Sequence, residues 1–209
     1  MRTVNEQPFT LICGPCQLES RDHIYKLTDE ILQITTDLKI PWILKTSFDK
    51  ANRTSISSKR GVGINEGTHI FYNLKEDYPD IRIITDVHET TQVKQVAPFV
   101  DALQIPAFLS RQTDLITAAC LTDKAVNIKK GQFMAPRSMR FAAEKAAVSG
   151  ASGVMLTERG TSFGYGDLVV DMRGIQEMRE HGYPVCFDAT HSVQRPSSGE
   201  ATSGGARRF

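Results

Sequence analysis

The sequence has few of the features that mark a protein for a membrane, for nucleic acid or for an oxidising compartment. It contains only four cysteines in 209 residues, too few to suggest a disulfide framework. No apolar run reaches the roughly 18 residues of a transmembrane helix, and the first residues lack the layout of a signal peptide. The formal net charge is only +1, so no overall field attracts polyanions. We therefore expect a cytoplasmic protein whose partners include neither nucleic acid nor a membrane.

The sequence does contain a regular alternation of short apolar runs and longer amphipathic stretches. Seven apolar runs predict strands at 9–12, 42–46, 82–87, 102–105, 125–129, 153–156 and 184–188. Helical spacing follows at 20–38, 65–78, 90–99, 111–121, 136–149 and 167–181. Strict alternation of strand and helix predicts a parallel sheet in an α/β fold.

Seven such rounds indicate a single domain over 1–209 that forms a (β/α)8 TIM barrel with about seven βα units present. A closed barrel needs eight units and about 250 residues, so we expect the last unit to be missing from this chain. An open, doubly wound sheet is the alternative. Residues 194–207 are polar and rich in serine and glycine, and we predict that they form a mobile active-site loop.

Cationic side chains gather where such a barrel places its chemistry, at the carboxyl ends of the strands. They are Lys45, Lys50, Arg53, Lys129 and Arg159. Ammonium and guanidinium groups are the usual partners of phosphate and carboxylate, so the set predicts a ligand with several negative groups. A solvated rim of surface charge is the alternative reading. The polar stretch at 52–55 could cradle a phosphate, or it could be an ordinary turn.

Cys16 and His191 stand at the ends of the first and seventh predicted strands. A thiolate and an imidazole together suit a divalent transition metal, although a buried thiol beside a substrate-binding histidine would look the same. Cys13 and Cys16 also form the CxxC pair of a thioredoxin-like redox protein. That alternative is disfavoured because the chain is about twice too long and no tryptophan precedes the pair.

The motifs occur in an order that is typical of one family. They read GPC at 14–16, KTSFDKANRTS at 45–55, ITDVHE at 84–89, QIPAFLSRQTD at 104–114, NIKKGQF at 127–133, ERGTSFGY at 158–165 and FDATH at 187–191. This series resembles the 3-deoxy-D-manno-octulosonate 8-phosphate (KDO-8-phosphate) synthases, and the resemblance covers the chain from residue 9 onward.

The resemblance implies an enzyme that condenses phosphoenolpyruvate with D-arabinose 5-phosphate and water, releasing phosphate. Such an enzyme would be a homotetramer and would serve the synthesis of the lipopolysaccharide inner core. The related 3-deoxy-heptulosonate 7-phosphate synthases use erythrose 4-phosphate and typically read KPRTS where this chain reads KANRTS at 50–55, so that loop favours the octulosonate type. If the chain is natively short, a non-catalytic ligand-binding remnant is a further alternative.

The resemblance also implies roles for individual residues. The phosphoenolpyruvate ligands would be Lys45, Ser47, Lys50, Lys129 and Arg159, with the backbone at Ala107 and Phe108. The arabinose 5-phosphate ligands would be Asn52, Arg53 and Thr54, the last at a position where serine is usual. Gln104 and Asp86 would line the centre, and the catalytic residues would be Lys50, Asp86 and His191.

The family has a metal-dependent and a metal-free branch, which carry cysteine and asparagine respectively at the position of Cys16. The resemblance therefore implies a divalent metal, such as Zn²⁺, Fe²⁺ or Mn²⁺, with Cys16 and His191 as ligands. In that branch a glutamate and an aspartate complete the set. Both would follow residue 209, so we expect two of the four ligands to lie outside this chain.

We predict that Arg53→Ala weakens the binding of arabinose 5-phosphate more than that of phosphoenolpyruvate. Losing one charge-assisted hydrogen bond costs about 2 kcal/mol, or roughly a thirtyfold rise in the KM for the sugar phosphate. Steady-state kinetics with each substrate varied in turn measure the difference. Equal losses for both substrates would contradict the assignment of this loop.

Overall fold

The computed structural model describes residues 9–196 and 204–205. The strands are β1 (Leu11–Cys13), β2 (Trp42–Lys45), β3 (Arg82–Asp86), β4 (Ala102–Ile105), β5 (Ala125–Lys129), β6 (Gly153–Glu158), β7 (Thr161–Ser162), β8 (Leu168–Val169), β9 (Val185–Phe187), β10 (Gln194–Arg195) and β11 (Gly204–Gly205). The α-helices are α1 (Arg21–Asp37), α2 (Ile64–Asp77), α3 (Thr90–Val96), α4 (Thr113–Cys120), α5 (Met139–Val148), α6 (Arg173–Arg179) and α7 (Ala189–Ser192). Short 3₁₀ turns lie at Ala97–Phe99, Ala107–Leu109 and Pro136–Ser138.

The main sheet has seven strands in the order β1-β2-β3-β4-β5-β6-β9, and every neighbouring pair is parallel. Strands that are consecutive in this sheet are joined by a helical crossover, as the alternating pattern predicts. The predicted α/β class is confirmed. Within residues 9–196 and 204–205, no further strand pairs with the outer edge of β1 or β9.

The sheet is curled, as in a (β/α)8 barrel. Its two edge strands do not pair with each other, yet the segments that follow them meet, because the Sγ of Cys16 lies 3.7 Å from the Nε2 of His191. A flat seven-stranded sheet would separate its edges by about 28 Å, since neighbouring strands lie about 4.8 Å apart. The curl therefore brings the carboxyl ends of all seven strands around one space.

Apolar faces of the helices pack on the outside of the sheet. Ile70, Phe71 and Leu74 of α2 are buried, and so are Val93 and Val96 of α3. Burying a side chain of this size contributes about 1.5–3 kcal/mol, so these contacts supply much of the stabilisation. Helix α1 begins where the sequence predicts, because the Oγ of Ser20 accepts a hydrogen bond of 3.2 Å from the backbone N–H of His23.

The helix predicted at 167–181 is wrong in its first part. Leu168 and Val169 instead form β8, which pairs antiparallel with β7, and α6 begins only at Arg173. The reversal between the two strands contains Gly164 and Gly166, both with positive φ. Glycine adopts that conformation without strain, which explains the ribbon where the apolar spacing suggested a helix.

Part of the loop predicted at 194–207 lies outside the described residues. Its two described ends form β10 and β11, which pair through Gln194 with Gly205 and Arg195 with Gly204. Among the residues that the structure describes, no helix combines the length and the apolar character needed to cross a bilayer.

We predict that Gly67→Ala destabilises the protein, although alanine favours helices by about 1 kcal/mol over glycine. A Cβ at Gly67 would lie 2.6 Å from the Cβ of buried Phe48, an atom that moves only with its backbone. The expected loss in free energy of unfolding is about 1–3 kcal/mol, measured by urea denaturation.

Glu66→Ala, on the exposed face of the same helix, is the matched control and should change stability by less than about 0.5 kcal/mol. If Gly67→Ala were as stable as the unsubstituted protein, the close packing between α2 and Phe48 would not exist.

Candidate active site

A first cluster of polar side chains forms at the ends of β2 and β3. The Nζ of Lys45 lies 2.9 Å from Asp86 Oδ1 and 3.0 Å from Ser47 Oγ. The Nζ of Lys50 donates to the same Ser47 Oγ at 2.6 Å, and the Ser47 hydroxyl donates to Asp86 Oδ1. The other carboxylate oxygen of Asp86 lies 3.0 Å from His88 Nε2. Both oxygens of Asp86 are thus occupied.

Asp86 is only 7% exposed, and its charge is stabilised by its neighbours. Burial alone would raise the pKa of its carboxyl, but Lys45 and the hydrogen bond from His88 outweigh that effect and hold the pKa well below its usual value. Burial also lowers the pKa of Lys45, and Asp86 opposes that shift. An ionised carboxylate with so low a pKa and both oxygens bonded is a poor proton acceptor near neutral pH.

A second cluster forms at the ends of β5 and β9. Asp188 is the N-cap of α7, where its Oδ1 accepts a 3.0 Å hydrogen bond from the backbone N–H of His191. Asp188 Oδ2 lies 2.6 Å from the Nζ of Lys129 and 2.8 Å from His191 Nδ1. The ring of His191 is therefore fixed with its other nitrogen directed at the thiol of Cys16.

These contacts shift the pKa values of Asp188, His191 and Cys16. Burial would raise the pKa of Asp188, but His191 and Lys129 lower it far below its usual value. The hydrogen bonds to Asp188 and then to Cys16 raise the pKa of His191. Burial would likewise raise the pKa of Cys16, but the hydrogen bond to His191 and the charge of Lys50 lower it to about 6.

The two clusters face the same space. The charges of Lys50 and Lys45 reach Cys16 and lower its pKa, and the charge of Lys129 lowers that of Lys45. Arg159, only 5% exposed, lies in the field of Asp188. Its Nη2 donates to the Oε1 of Gln194 at 3.2 Å. Its Nε and Nη1 are buried and have no hydrogen-bond partner among the described residues, so they are available to an anion.

Gln104 belongs to a layer of amides that crosses the sheet. Its Nε2 donates to Asn127 Oδ1 at 2.6 Å, and the Nδ2 of Asn127 donates to Thr157 Oγ1 at 2.7 Å. Gln104, predicted to line the centre of the site, thus lies on β4 beside Asn127 of β5. Ala107 and Phe108 lie in the 3₁₀ turn that follows β4, and the side chain of Phe108 is exposed.

Arg53 lies in an exposed loop beside the segment that follows β1. Its Nε donates to the backbone oxygen of Lys59 at 3.2 Å, and its Nη2 donates to the Oε1 of Gln17. Asn52 and Thr54 are exposed in the same loop. An open cleft of about 580 Å³ lies here, and its lining includes Gln17, Arg53 and Lys59. The structure therefore places the predicted sugar phosphate ligands at the rim, outside the two clusters.

Asp188, Asn127 and His88 belong to the site geometry, although none was among the predicted site residues. The signal for Asp188 was present, since an aspartate three residues before His191 at a strand end has the spacing of a helix N-cap. Asn127 gave no comparable signal, because its partners come from two other strands. The cysteines that the structure describes, Cys13 among them, are free thiols.

A family profile described as the DAHP synthetase I family matches residues 2–204. The chain belongs to this family. Its curated relatives include proteins named 2-dehydro-3-deoxyphosphooctonate aldolase. That of Rickettsia bellii (strain OSU 85-389) is 52% identical over 205 residues, which are 98% of this chain and 74% of the relative. That of Bartonella henselae is 53% identical over 205 residues, 98% and 73% of the two chains. That of Granulibacter bethesdensis is 51% identical over 209 residues, 100% and 74% of the two chains.

The names of these relatives confirm the resemblance drawn from the motifs, because 2-dehydro-3-deoxyphosphooctonate aldolase is another name for KDO-8-phosphate synthase. The thioredoxin-like alternative is wrong. The seven-stranded parallel sheet has a different architecture, and the thiol of Cys16 contacts His191.

We predict that Cys16 is a reactive thiolate at neutral pH when a chelator is present. The thiolate is the nucleophile, so its alkylation rate should rise with pH through a midpoint near 6. Cys120, whose pKa is raised to about 11 by burial, should stay unmodified at pH 8. Iodoacetamide labelling followed by peptide mass spectrometry measures both rates.

His191→Asn removes the imidazole that stabilises the thiolate, so the midpoint for Cys16 should move to higher pH. An unchanged midpoint would mean that the contact between Cys16 and His191 does not exist in solution.

Proposed function

We propose that the protein condenses phosphoenolpyruvate with D-arabinose 5-phosphate and water to give 3-deoxy-D-manno-octulosonate 8-phosphate and inorganic phosphate. One observation carries the proposal: relatives more than 50% identical over at least 98% of the chain bear the name of that enzyme. Their name describes an eight-carbon product, which supports the octulosonate type over the heptulosonate type. The loop KANRTS at 50–55 favours the same choice.

The balance of charge in the two clusters suits phosphoenolpyruvate. Four cations, Lys45, Lys50, Lys129 and Arg159, face the two carboxylates of Asp86 and Asp188. The excess positive charge is complementary to a ligand that carries both a phosphate and a carboxylate. In this proposal Ser47 and the backbone at Ala107 and Phe108 complete the phosphoenolpyruvate site, and Arg159 contributes Nε and Nη1, the two nitrogens that have no hydrogen-bond partner among the described residues.

In the proposed reaction, C3 of phosphoenolpyruvate forms a bond to the aldehyde carbon of the sugar while water adds at C2. The resulting hemiketal phosphate then loses inorganic phosphate by cleavage of its C–O bond. Charge stays high throughout, so the lysines and Arg159 would act by orienting the substrates and stabilising developing negative charge. Lys50 lies where it can serve both substrates, because it bonds Ser47 and also begins the sugar phosphate loop.

Candidates for the proton acceptor of the attacking water are Asp86, His191 and a metal-bound water. The contacts of Asp86 disfavour it, since its pKa is far below neutral and both its oxygens are bonded. We infer that Asp86 instead holds Lys45 and Ser47 in place. His191 can hold or release a proton at its Nε2 when no metal occupies that atom, and its hydrogen bonds to Asp188 and Cys16 raise its pKa.

Cys16 and His191 fit two positions of a divalent metal site. A tetrahedral ion with ordinary Zn–S and Zn–N bonds separates its sulfur and nitrogen ligands by about 3.6 Å, close to the 3.7 Å between Cys16 Sγ and His191 Nε2. Asp188 binds the other ring nitrogen of His191, the usual support of a metal-ligating histidine. A bound divalent ion would polarise the sugar aldehyde or position the water. Within 9–196 and 204–205, no group of three or more potential ligands occurs.

Three further expectations belong to this proposal. By resemblance, the protein would act as a homotetramer and its product would enter the lipopolysaccharide inner core; it would also be cytoplasmic. Light scattering of the purified protein tests the first of these.

We predict that the protein consumes phosphoenolpyruvate when given arabinose 5-phosphate, and does so far more slowly with erythrose 4-phosphate. The loss of phosphoenolpyruvate absorbance follows the reaction directly. Treatment with EDTA should abolish the activity, and added Mn²⁺ should restore it, because Cys16 and His191 would hold the ion.

Each part of the proposal can fail separately in this assay. Activity that survives complete removal of metal would overturn the role given to Cys16 but leave the reaction standing. A preference for erythrose 4-phosphate would overturn the role of the loop at 50–55. Binding of phosphoenolpyruvate without turnover would favour the alternative of a non-catalytic ligand-binding protein.

A further inference from the structure

Lys130 is a completely buried lysine to which the proposed reaction assigns no role. It follows Lys129, the last residue of β5, and its backbone N–H donates to the oxygen of Thr157 on β6 at 2.8 Å. Successive side chains along an extended strand point to opposite sides. Lys129 therefore reaches the anion site through Asp188, whereas the side chain of Lys130 is 0% exposed.

The ammonium group of Lys130 makes its shortest contacts with the segment that follows β6. Its Nζ lies 3.1 Å from the backbone oxygen of Gly160 and 3.2 Å from the Oγ1 of Thr161. It lies 3.4 Å from the backbone oxygens of Gly131 and Met134, and 3.5 Å from Glu158 Oε1. Since a buried charge is tolerated only when it is paired and hydrogen-bonded, these partners explain how the lysine can lie there.

Glu158 connects Lys130 to the backbone around Arg159. Its Oε1, the atom nearest Lys130, accepts hydrogen bonds from the backbone N–H groups of Arg159 at 2.9 Å and of Gly160 at 2.6 Å. Gly160 has a φ of +94°, a conformation that glycine adopts without strain. Lys130 and Glu158 thus fix the backbone on both sides of Arg159.

Arg159 depends on this fixed backbone because its own side chain has few restraints. Its Nη2 donates to Gln194, while Nε and Nη1 have no partner among the described residues. The backbone where β6 ends therefore helps to set the direction in which these two nitrogens point.

We propose that Lys130 and Glu158 are positioning residues that hold Arg159 and the base of the β7–β8 ribbon in the conformation that binds phosphoenolpyruvate. The inference rests on the proposed function, because it takes Arg159 as a ligand of that substrate. Lys130 itself touches neither substrate.

A purely structural role is the competing explanation, and Lys75 offers a matched control for it. The Nζ of Lys75 lies 2.6 Å from Asp101 Oδ2 and 3.1 Å from the backbone oxygen of Ile81. It is thus also a lysine bonded to one carboxylate and a main-chain oxygen. Asp101 and Ile81 directly precede β4 and β3, so this pair lies at the amino ends of the strands, opposite the site.

The experiment compares Lys130→Met with Lys75→Met in the full-length enzyme. Both changes should lower the melting temperature. Lys130→Met should also raise the KM for phosphoenolpyruvate on the order of tenfold to a hundredfold, the scale of a misplaced binding group, and leave the KM for arabinose 5-phosphate within about twofold. Lys75→Met should change neither KM. Titration calorimetry with phosphoenolpyruvate alone should show the same contrast.

Two further variants keep the proposal testable if Lys130→Met does not fold. Glu158→Gln keeps an acceptor for the two backbone N–H groups but loses its charge, and should weaken phosphoenolpyruvate binding less than Lys130→Met. The double variant Lys130→Met with Glu158→Gln removes both charges of this pair, so neither is left buried without its partner; it should fold and still bind phosphoenolpyruvate weakly.

Equal changes in both KM values, or unchanged affinity for phosphoenolpyruvate in folded variants, would overturn the positioning role. Unsubstituted protein that binds phosphoenolpyruvate without turnover would overturn the proposed function, while the calorimetric comparison would still decide the role of Lys130.

Discussion

The carboxylate of Asp188 links the two ends of the sheet. It stands directly after the last strand and binds Lys129 from the middle of the sheet, and through His191 it reaches Cys16 beside the first strand. Hydrogen bonds between strands cannot make that connection, because β1 and β9 are not neighbours. The side chains therefore continue the barrel across a gap that the main chain of the described residues does not close. Both clusters can form only because the sheet is curled, and the contacts of Asp188 and His191 span the space between its two edges.

Asp86 and Asp188 allow the site to hold its cations close together before any substrate arrives. Like charges repel, and burial lowers the pKa of Lys45 and of Arg159. Each carboxylate offsets part of that repulsion and fixes the donors that surround it. A substrate that brings its own phosphate and carboxylate then meets donors already oriented, so little reorganisation is needed. The same arrangement explains why both acids stay ionised and are poorly suited to accept a proton.

The sequence predicted the strands and the residues at their ends well. Strands of a parallel sheet are covered on both faces, so each appears in the sequence as a short apolar run, and the first polar residue after the run marks its end. Lys45, Asp86, Lys129 and Arg159 were found in this way. The β7–β8 ribbon was missed because strands of two residues have no period to detect. The sequence also did not show that Lys129 faces the site while Lys130 is buried. Two adjacent lysines look alike in a sequence, and only the structure shows that their side chains point to opposite sides. Asn127 was missed because its partners lie on β4 and β6.

The loop that carries Arg53 is closed at its base. The backbone N–H of Lys50 donates to the oxygen of Arg60 at 2.7 Å, and the Arg60 side chain forms a two-point ion pair with Asp49. A loop tied at its base can change in length or sequence at its tip with little effect on the strands beneath, since the entropy of closure grows only slowly with length. Under the proposed function, the sugar phosphate and the enol phosphate would then contact separately variable parts of the chain. A barrel of this kind can acquire a new aldehyde partner by exchanging one surface loop while its charged centre is inherited unchanged.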